Sequence, residues 1–205
     1  MQFHGEGDEV FVFPPLTALD DFHTKSVSVG AQNAYGIDKG SVTGEVGLQQ
    51  LDEFGVRTVL TGHSERRHLL GESQEMIAKK FDFFKKEGFT IIHCIGEPLE
   101  VRKNGDLKNY LKAQLAGIDL GYENLIVAYE PVWAIGTGES ADNETISQTH
   151  QLIKTMIGNR ALLYGGSVKP HTAEGILTLS DVDGVLVGGA SLEVEDFQSI
   201  ITACT

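Results

Sequence analysis

The sequence predicts an α/β fold in which strands and helices alternate and the strands form one parallel sheet. Short apolar runs recur along the 205 residues, and each is followed by a longer amphipathic segment. The runs show little alternation, which is typical of parallel strands covered on both faces. No linker or low-complexity tract divides the chain, which predicts a single domain over residues 1–205. Alternating units of this kind build either a closed barrel or an open doubly wound sheet, and periodicity alone does not choose between them.

Seven apolar runs are predicted as strands because they are rich in Val, Ile, Leu and aromatic residues. They are Val10–Phe13, Val27–Ala31, Thr58–Thr61, Thr90–Ile95, Leu125–Tyr129, Ala161–Tyr164 and Gly184–Val187.

The segments between the strands predict helices, and Ser73–Glu87 has the strongest pattern. Ser73 can cap its N-terminus, apolar residues recur at helical spacing, and Gly88 suits the position after the last turn. Further helices are predicted at Leu16–Phe22, Gly44–Phe54, Asp106–Gln114, Asn143–Met156, Thr172–Leu179 and Val194–Thr202.

Composition narrows the partners and the compartment. The net charge of −13 repels nucleic acid and anionic membranes, and it means that an anionic substrate needs a strong local site. The two cysteines form no CxxC pair or disulfide framework, and the N-terminus has neither the basic nor the apolar region of a signal peptide. No apolar stretch is long enough to span a membrane. We therefore expect a cytoplasmic protein.

Glu130 is the candidate general base. It directly follows the run Leu125–Tyr129, so we expect it at the carboxyl edge of the sheet in a partly apolar setting. Burial increases the affinity of a carboxylate for a proton, which suits proton abstraction. The alternative is an ordinary salt bridge at a strand end, and Glu130 taken alone favours that alternative.

His63 is the candidate electrophile. It follows Thr58–Thr61, and Ser64 and Glu65 can begin a helix, so the positive end of a helix would lower the imidazole pKa and keep the ring neutral. A neutral imidazole donates a hydrogen bond to a carbonyl oxygen. Taken alone, a capping or packed histidine is the more common arrangement. The seven histidines show no ligand spacing, so no metal site is predicted.

Glycine-rich loops after the last two strands predict a phosphate site. Gly165-Gly166-Ser167 and Gly188-Gly189 could point backbone amides at an oxyanion, and Ser167 adds a hydroxyl. The alternative is a pair of tight turns. The segment Val132–Gly138, with Gly136 near its tip, is predicted as a loop that closes over the site and excludes water.

Taken together, these segments resemble the triosephosphate isomerase family. The distinctive matches are Gly62-His63-Ser64-Glu65-Arg66-Arg67, Tyr129-Glu130-Pro131-Val132-Trp133, Tyr164-Gly165-Gly166-Ser167 and Val187-Gly188-Gly189. They occur in the family's order from about Val10 to the C-terminus. The resemblance implies a TIM (β/α)₈ barrel.

The resemblance also implies the roles of the site residues. Glu130 would abstract the carbon-bound proton, His63 would polarise the substrate carbonyl, and Gly136, Ser167, Gly188 and Gly189 would hold the phosphate of a triose phosphate. No cofactor is implied. The loop around Thr43 would insert into a second subunit, which implies a homodimer.

The chain departs from the family at its beginning. The family's first strand ends in Asn-x-Lys, whereas Val10–Phe13 matches the second strand, so we expect an N-terminally truncated barrel with seven βα units. A wrong start, a fragment or a real loss would each explain this, and the intact site favours the first. The absent lysine puts the activity of this form in doubt. The alternatives are an inactive phosphate-binding or interaction protein on the same barrel and, ranking lower, another sugar-phosphate isomerase or an aldolase. A Schiff-base aldolase needs a lysine at a strand end, and no predicted strand ends in one.

Overall fold

The computed structural model describes residues 9–20, 27–135 and 141–203. Its strands are β1 (Phe11–Val12), β2 (Ser28–Ala31), β3 (Thr58–Thr61), β4 (Thr90–Ile95), β5 (Leu125–Tyr129), β6 (Ala161–Tyr164) and β7 (Gly184–Val185). Its α-helices are α1 (Leu48–Glu53), α2 (Ser64–His68), α3 (Gln74–Lys86), α4 (Leu99–Lys103), α5 (Leu107–Gln114), α6 (Asn143–Ile157), α7 (Pro170–Leu177) and α8 (Val194–Thr202). Short 3₁₀ turns cover Leu16–Ala18, Val132–Ala134 and Gly189–Ser191.

The seven strands form one parallel sheet whose spatial order is the sequence order, β1 to β7. A doubly wound sheet reverses its strand order at a switch point, so this order belongs to the singly wound arrangement of a barrel. Because every strand runs in the same direction, the residues that follow the strands meet at one edge of the sheet. An α/β fold of TIM type is therefore confirmed.

Of the five interior strands, β3 to β6 have the predicted bounds and β2 begins one residue later than predicted, whereas the edge strands are shorter than predicted. Val10–Phe13 reduces to Phe11–Val12, and Gly184–Val187 reduces to Gly184–Val185. Each edge strand has a paired neighbour on one side within the described residues, so fewer hydrogen bonds hold its ends.

Helix α3 forms as predicted, with the Ser73 hydroxyl accepting a hydrogen bond from the Met76 amide. The prediction for Thr172–Leu179 was displaced, because Pro170 occupies the first turn, where its missing N–H costs nothing. The predicted Gly44–Phe54 helix begins only at Leu48. Helix α4 was not predicted, and of Leu16–Phe22 the described part is the 3₁₀ turn Leu16–Ala18.

Apolar side chains pack in two layers on the two faces of the sheet. The larger layer lies between strands and helices and includes Ile91, Phe81 and Ile146. The smaller layer lies on the inner face and comprises the buried residues Leu60, Ile92, Cys94 and Ala128, with partly buried Phe13, Ile126, Leu163 and Leu186 against them. The sheet thus curls around an inner apolar surface.

The inner surface opens at a seam, which we define as the gap between β1 and β7. Both strands line one cavity of about 1900 Å³, together with Ile126, Leu163 and Leu186. Among the described residues, β1 and β7 do not pair with each other. Seven parallel units are therefore present as predicted, and the absence of one further unit stays a prediction.

Because the inner face opens at the seam, cavity-forming substitutions should lower the free energy of unfolding less there than on the face under the helices. Ile91→Ala, in the layer under the helices where Ile91 is 0% exposed, should lower the free energy of unfolding by about 3–4 kcal/mol. Ile126→Ala, at the half-buried wall of the cavity, should cost about 1–2 kcal/mol because water already reaches that wall. Urea titrations of both variants measure the difference, and equal costs would show that the inner face is closed.

Candidate active site

Glu130 lies at the carboxyl edge of the sheet, directly after β5. Its backbone amide continues the ladder by donating to the Ile95 carbonyl at 2.8 Å, and the residue is only 2% exposed. Its Oε2 atom accepts a hydrogen bond from the Ser64 backbone amide at 2.9 Å. A Cβ on Gly96 would lie 1.7 Å from the Glu130 carbonyl oxygen, so only glycine allows this close approach. The carboxylate therefore has a fixed position in a largely dry environment.

His63 caps α2 and contacts Glu130. Its Nε2 atom lies 2.9 Å from Glu130 Oε1, and its Nδ1 atom accepts from the Glu65 backbone amide at 3.4 Å. In the neutral ring, an Nδ1 that accepts leaves the proton on Nε2, where it is directed at the carboxylate. The structure thus brings together the two residues that the sequence proposes for catalysis.

The pKa of His63 is shifted in the direction opposite to the one expected. Burial lowers it, but the hydrogen bond to Glu130 and the negative charges of Glu130 and Glu65 outweigh burial and raise the pKa above its ordinary value of 6.5. The expectation of a lowered pKa from the helix N-terminus alone was wrong. It omitted a carboxylate that is distant in sequence and adjacent in space.

The glycine loops line the same cavity as His63 and Glu130. Ser167, Gly188 and Gly189 all line it. A Cβ on Gly188 or Gly189 would meet no atom of the described residues within 4 Å, so their packing does not require glycine there and the backbone is open to the cavity. At Gly166, by contrast, a Cβ would lie 2.2 Å from the Tyr164 hydroxyl, so close packing requires glycine there.

Gly136 lies outside the described residues, as does the tip of the predicted lid. The base of that segment forms the 3₁₀ turn Val132–Ala134, and Trp133 Nε1 donates to Glu97 Oε1 at 3.0 Å. Glu97 is 0% exposed and also accepts from Arg102 Nε at 2.9 Å. The structure therefore anchors the first residues of the segment, and its closure stays a prediction.

Sequence reasoning missed several contacts that organise the site. The Ser64 amide holds Glu130, and buried Lys80 binds both Glu72 and the Asn33 side chain. Motifs reveal residue types at strand ends, but they do not show which distant residues meet. Lys80, on the buried side of α3, was the one available signal of these contacts, because a buried lysine usually has a partner.

The described residues show neither a metal-binding cluster nor a membrane-spanning helix. The described residues contain no group of three or more His, Cys, Asp or Glu side chains that could hold a metal ion. None of the described helices has the length and hydropathy needed to cross a membrane.

Comparison with known proteins gives a consistent result. A family model for triosephosphate isomerase matches residues 2–204. A triosephosphate isomerase from a Sulfurovum species is 57% identical over 198 residues, covering 96% of this chain and 86% of the relative. That of a Nitratiruptor species is 53% identical over 195 residues, covering 94% and 83%. That of Helicobacter hepaticus is 52% identical over 197 residues, covering 95% and 83%. With a family match over nearly its whole length and relatives more than half identical, the chain belongs to the triosephosphate isomerase family of enzymes.

Proposed function

We propose that the protein interconverts dihydroxyacetone phosphate and D-glyceraldehyde 3-phosphate through an enediolate, as in glycolysis and gluconeogenesis. The names of its relatives support the isomerase activity. The observation that carries the proposal is the convergence of His63 and Glu130 at 2.9 Å, in a cavity that Ser167, Gly188 and Gly189 also line. A base, a hydrogen-bond donor and a group of phosphate-binding amides are the parts that this reaction needs.

Glu130 is the proposed base. Its carboxylate takes a proton from the carbon next to the substrate carbonyl, and the electron pair of that C–H bond forms the enediolate. The hydroxyl proton moves from one oxygen of the enediolate to the other, and return of the first proton to the neighbouring carbon completes the isomerisation, so the carboxylate is regenerated and no redox partner is needed. Burial of Glu130 suits this role because water does not compete for the proton.

His63 is the proposed donor to the substrate oxygen. When substrate separates the imidazole from Glu130, the hydrogen bond that raises the pKa of His63 is lost. Burial, which lowers that pKa, is the largest single influence, so it then favours the neutral ring. The Nε2 proton is free to stabilise charge developing on the carbonyl oxygen.

The phosphate is proposed to bind at the opposite wall of the cavity. Backbone amides of Gly188 and Gly189, the Ser167 hydroxyl and the predicted contribution of Gly136 supply neutral donors. Lys169 lines the same cavity and adds positive charge, which offsets the repulsion expected from a chain of net charge −13. No cofactor takes part in the proposed reaction.

The seam is proposed to be the place of one further βα unit, whose strand would end in Asn-x-Lys as the resemblance implies. The 198 matched residues make up 86% of the Sulfurovum relative, so about 14% of that relative lies outside the match. A unit in the seam would cover the apolar cavity wall and add a cation beside the substrate. A cytoplasmic location also stays a prediction.

Glu130→Gln should lower kcat by about 10³-fold or more, because an amide cannot accept the proton. Glu100→Gln, a matched change at an exposed glutamate of α4, should leave kcat unchanged. A coupled assay of triose phosphate isomerisation measures both. Equal turnover of the two variants would exclude Glu130 as the base.

The same assay compares the chain as given with a form extended by a strand ending in Asn-x-Lys and its helix. We expect the extended form to be at least about tenfold faster, since a cation beside the substrate stabilises the enediolate. Comparable high turnover in both forms would contradict the seam proposal. Failure of both to isomerise, with retained binding of a phosphorylated ligand, would instead support the non-catalytic alternative.

A homodimer through the Thr43 loop is proposed as the assembly. Thr43 and Gly44 are exposed at the tip of the connection between β2 and α1, and Gly44 has a φ of +89° that favours glycine. Leu69 and Leu70, 77% and 67% exposed after α2, offer apolar area that association would bury. The exposed Thr43 loop and the two exposed leucines both support a subunit interface.

Thr43→Asp should shift the protein from dimer to monomer, because a buried unpaired carboxylate opposes association. Sedimentation equilibrium measures the shift. Thr155→Asp, on the exposed side of α6, is the matched control and should leave the assembly unchanged. Dimers of undiminished stability in Thr43→Asp would place the interface elsewhere.

A further inference from the structure

Arg67 has a defined place behind the catalytic pair. It lies in α2, and its guanidinium donates from all three nitrogens: from Nε to the Gly62 carbonyl at 2.6 Å, from Nη1 to Gln74 Oε1 at 2.7 Å and from Nη2 to the Cys94 carbonyl at 3.1 Å. The acceptors are neutral oxygens on three different segments. Within the described ranges, no carboxylate forms an ion pair with Arg67. A planar fork held at three points has a single orientation.

The Gly62 turn and the guanidinium are packed against each other. Gly62 has a φ of +69°, and a Cβ there would lie 2.5 Å from Arg67 Nη2 and 3.0 Å from the Cys94 carbonyl oxygen. Gly62 immediately precedes His63, so its conformation determines where the imidazole leaves β3. Arg67 therefore ties the turn before His63 to β4.

Arg67 also brings positive charge close to the catalytic carboxylate. Burial lowers the pKa of Arg67, and the fields of Cys94, Glu130, Glu72 and Tyr110 oppose that effect. Glu130 is therefore among the charged groups around the guanidinium. On the far side, burial and the charge of Arg67 lower the pKa of His93 to about 3, so that ring is neutral and adds no competing charge.

We propose that Arg67 is a positioning residue of the isomerase site, which holds the Gly62 turn so that His63 meets Glu130. The inference rests on the proposed isomerase function. It assigns no contact between Arg67 and substrate.

Two substitutions test this role. Arg67→Lys keeps the charge but loses the three-point fork, so kcat should fall about tenfold. Arg67→Met removes both the charge and the fork, so kcat should fall about 100-fold. KM should stay within about twofold in both, since the phosphate wall is untouched.

Arg57→Met is the matched control. Arg57 pairs with Asp52 at the exposed surface, so the variant should keep the kcat and pH profile of the unsubstituted chain. Circular dichroism melts establish which variants fold, and if Arg67→Met does not, Arg67→Lys decides. An unchanged kcat in folded Arg67→Lys would overturn the positioning role.

A second measurement does not require turnover. In ¹⁵N NMR of histidine-labelled protein, the His63 ring signals should move in Arg67→Lys and stay in place in Arg57→Met. Unmoved signals in Arg67→Lys would overturn the positioning role. An unsubstituted chain that binds a phosphorylated ligand but does not isomerise, with moved signals in Arg67→Lys, would refute the proposed function while supporting the role of Arg67 in the geometry.

Discussion

The contact between the His63 imidazole and the Glu130 carboxylate is the interaction on which the site depends. It joins the end of β3 to the end of β5 across β4, with a nitrogen–oxygen distance of 2.9 Å, and the Ser64 amide holds the second carboxylate oxygen. The carboxylate also changes the chemistry of the imidazole, because its hydrogen bond and negative charge raise the pKa of His63.

The parallel sheet makes that contact possible. Strand order follows sequence order, so the loops after β3, β5, β6 and β7 converge at one edge, where His63, Glu130 and the glycine loops line a single cavity. The same sheet leaves an apolar inner face accessible at the seam. That exposure weakens the hydrophobic contribution of Ile126, Leu163 and Leu186 relative to the layer under the helices. Site geometry and barrel closure are thus separable properties of this chain.

The sequence predicted which residues would form the candidate site, but not all of the charge interactions among them. The interior strands such as Thr58–Thr61 were predictable because both faces are apolar, and the edge strands were overextended because pairing, rather than composition, sets their ends. Glu130 and His63 were recognisable as strand-end residues. The raised pKa of His63 was not predictable, because Ser64 and Glu130, which frame it, lie 66 positions apart. The hydrogen bonds of Arg67 were unpredictable for the same reason, since one of them is a tertiary contact to the Cys94 carbonyl.

The central claim is that Glu130 controls the protonation of His63. An NMR titration of His63 in the unsubstituted chain and in Glu130→Gln tests it most directly, with resonances assigned by a His63→Gln variant. We expect the pKa of His63 to be above 6.5 in the unsubstituted chain and lower in Glu130→Gln, because the substitution removes the negative charge while burial remains. A His63 pKa below 6.5 in the unsubstituted chain, or one that Glu130→Gln leaves unchanged, would contradict it.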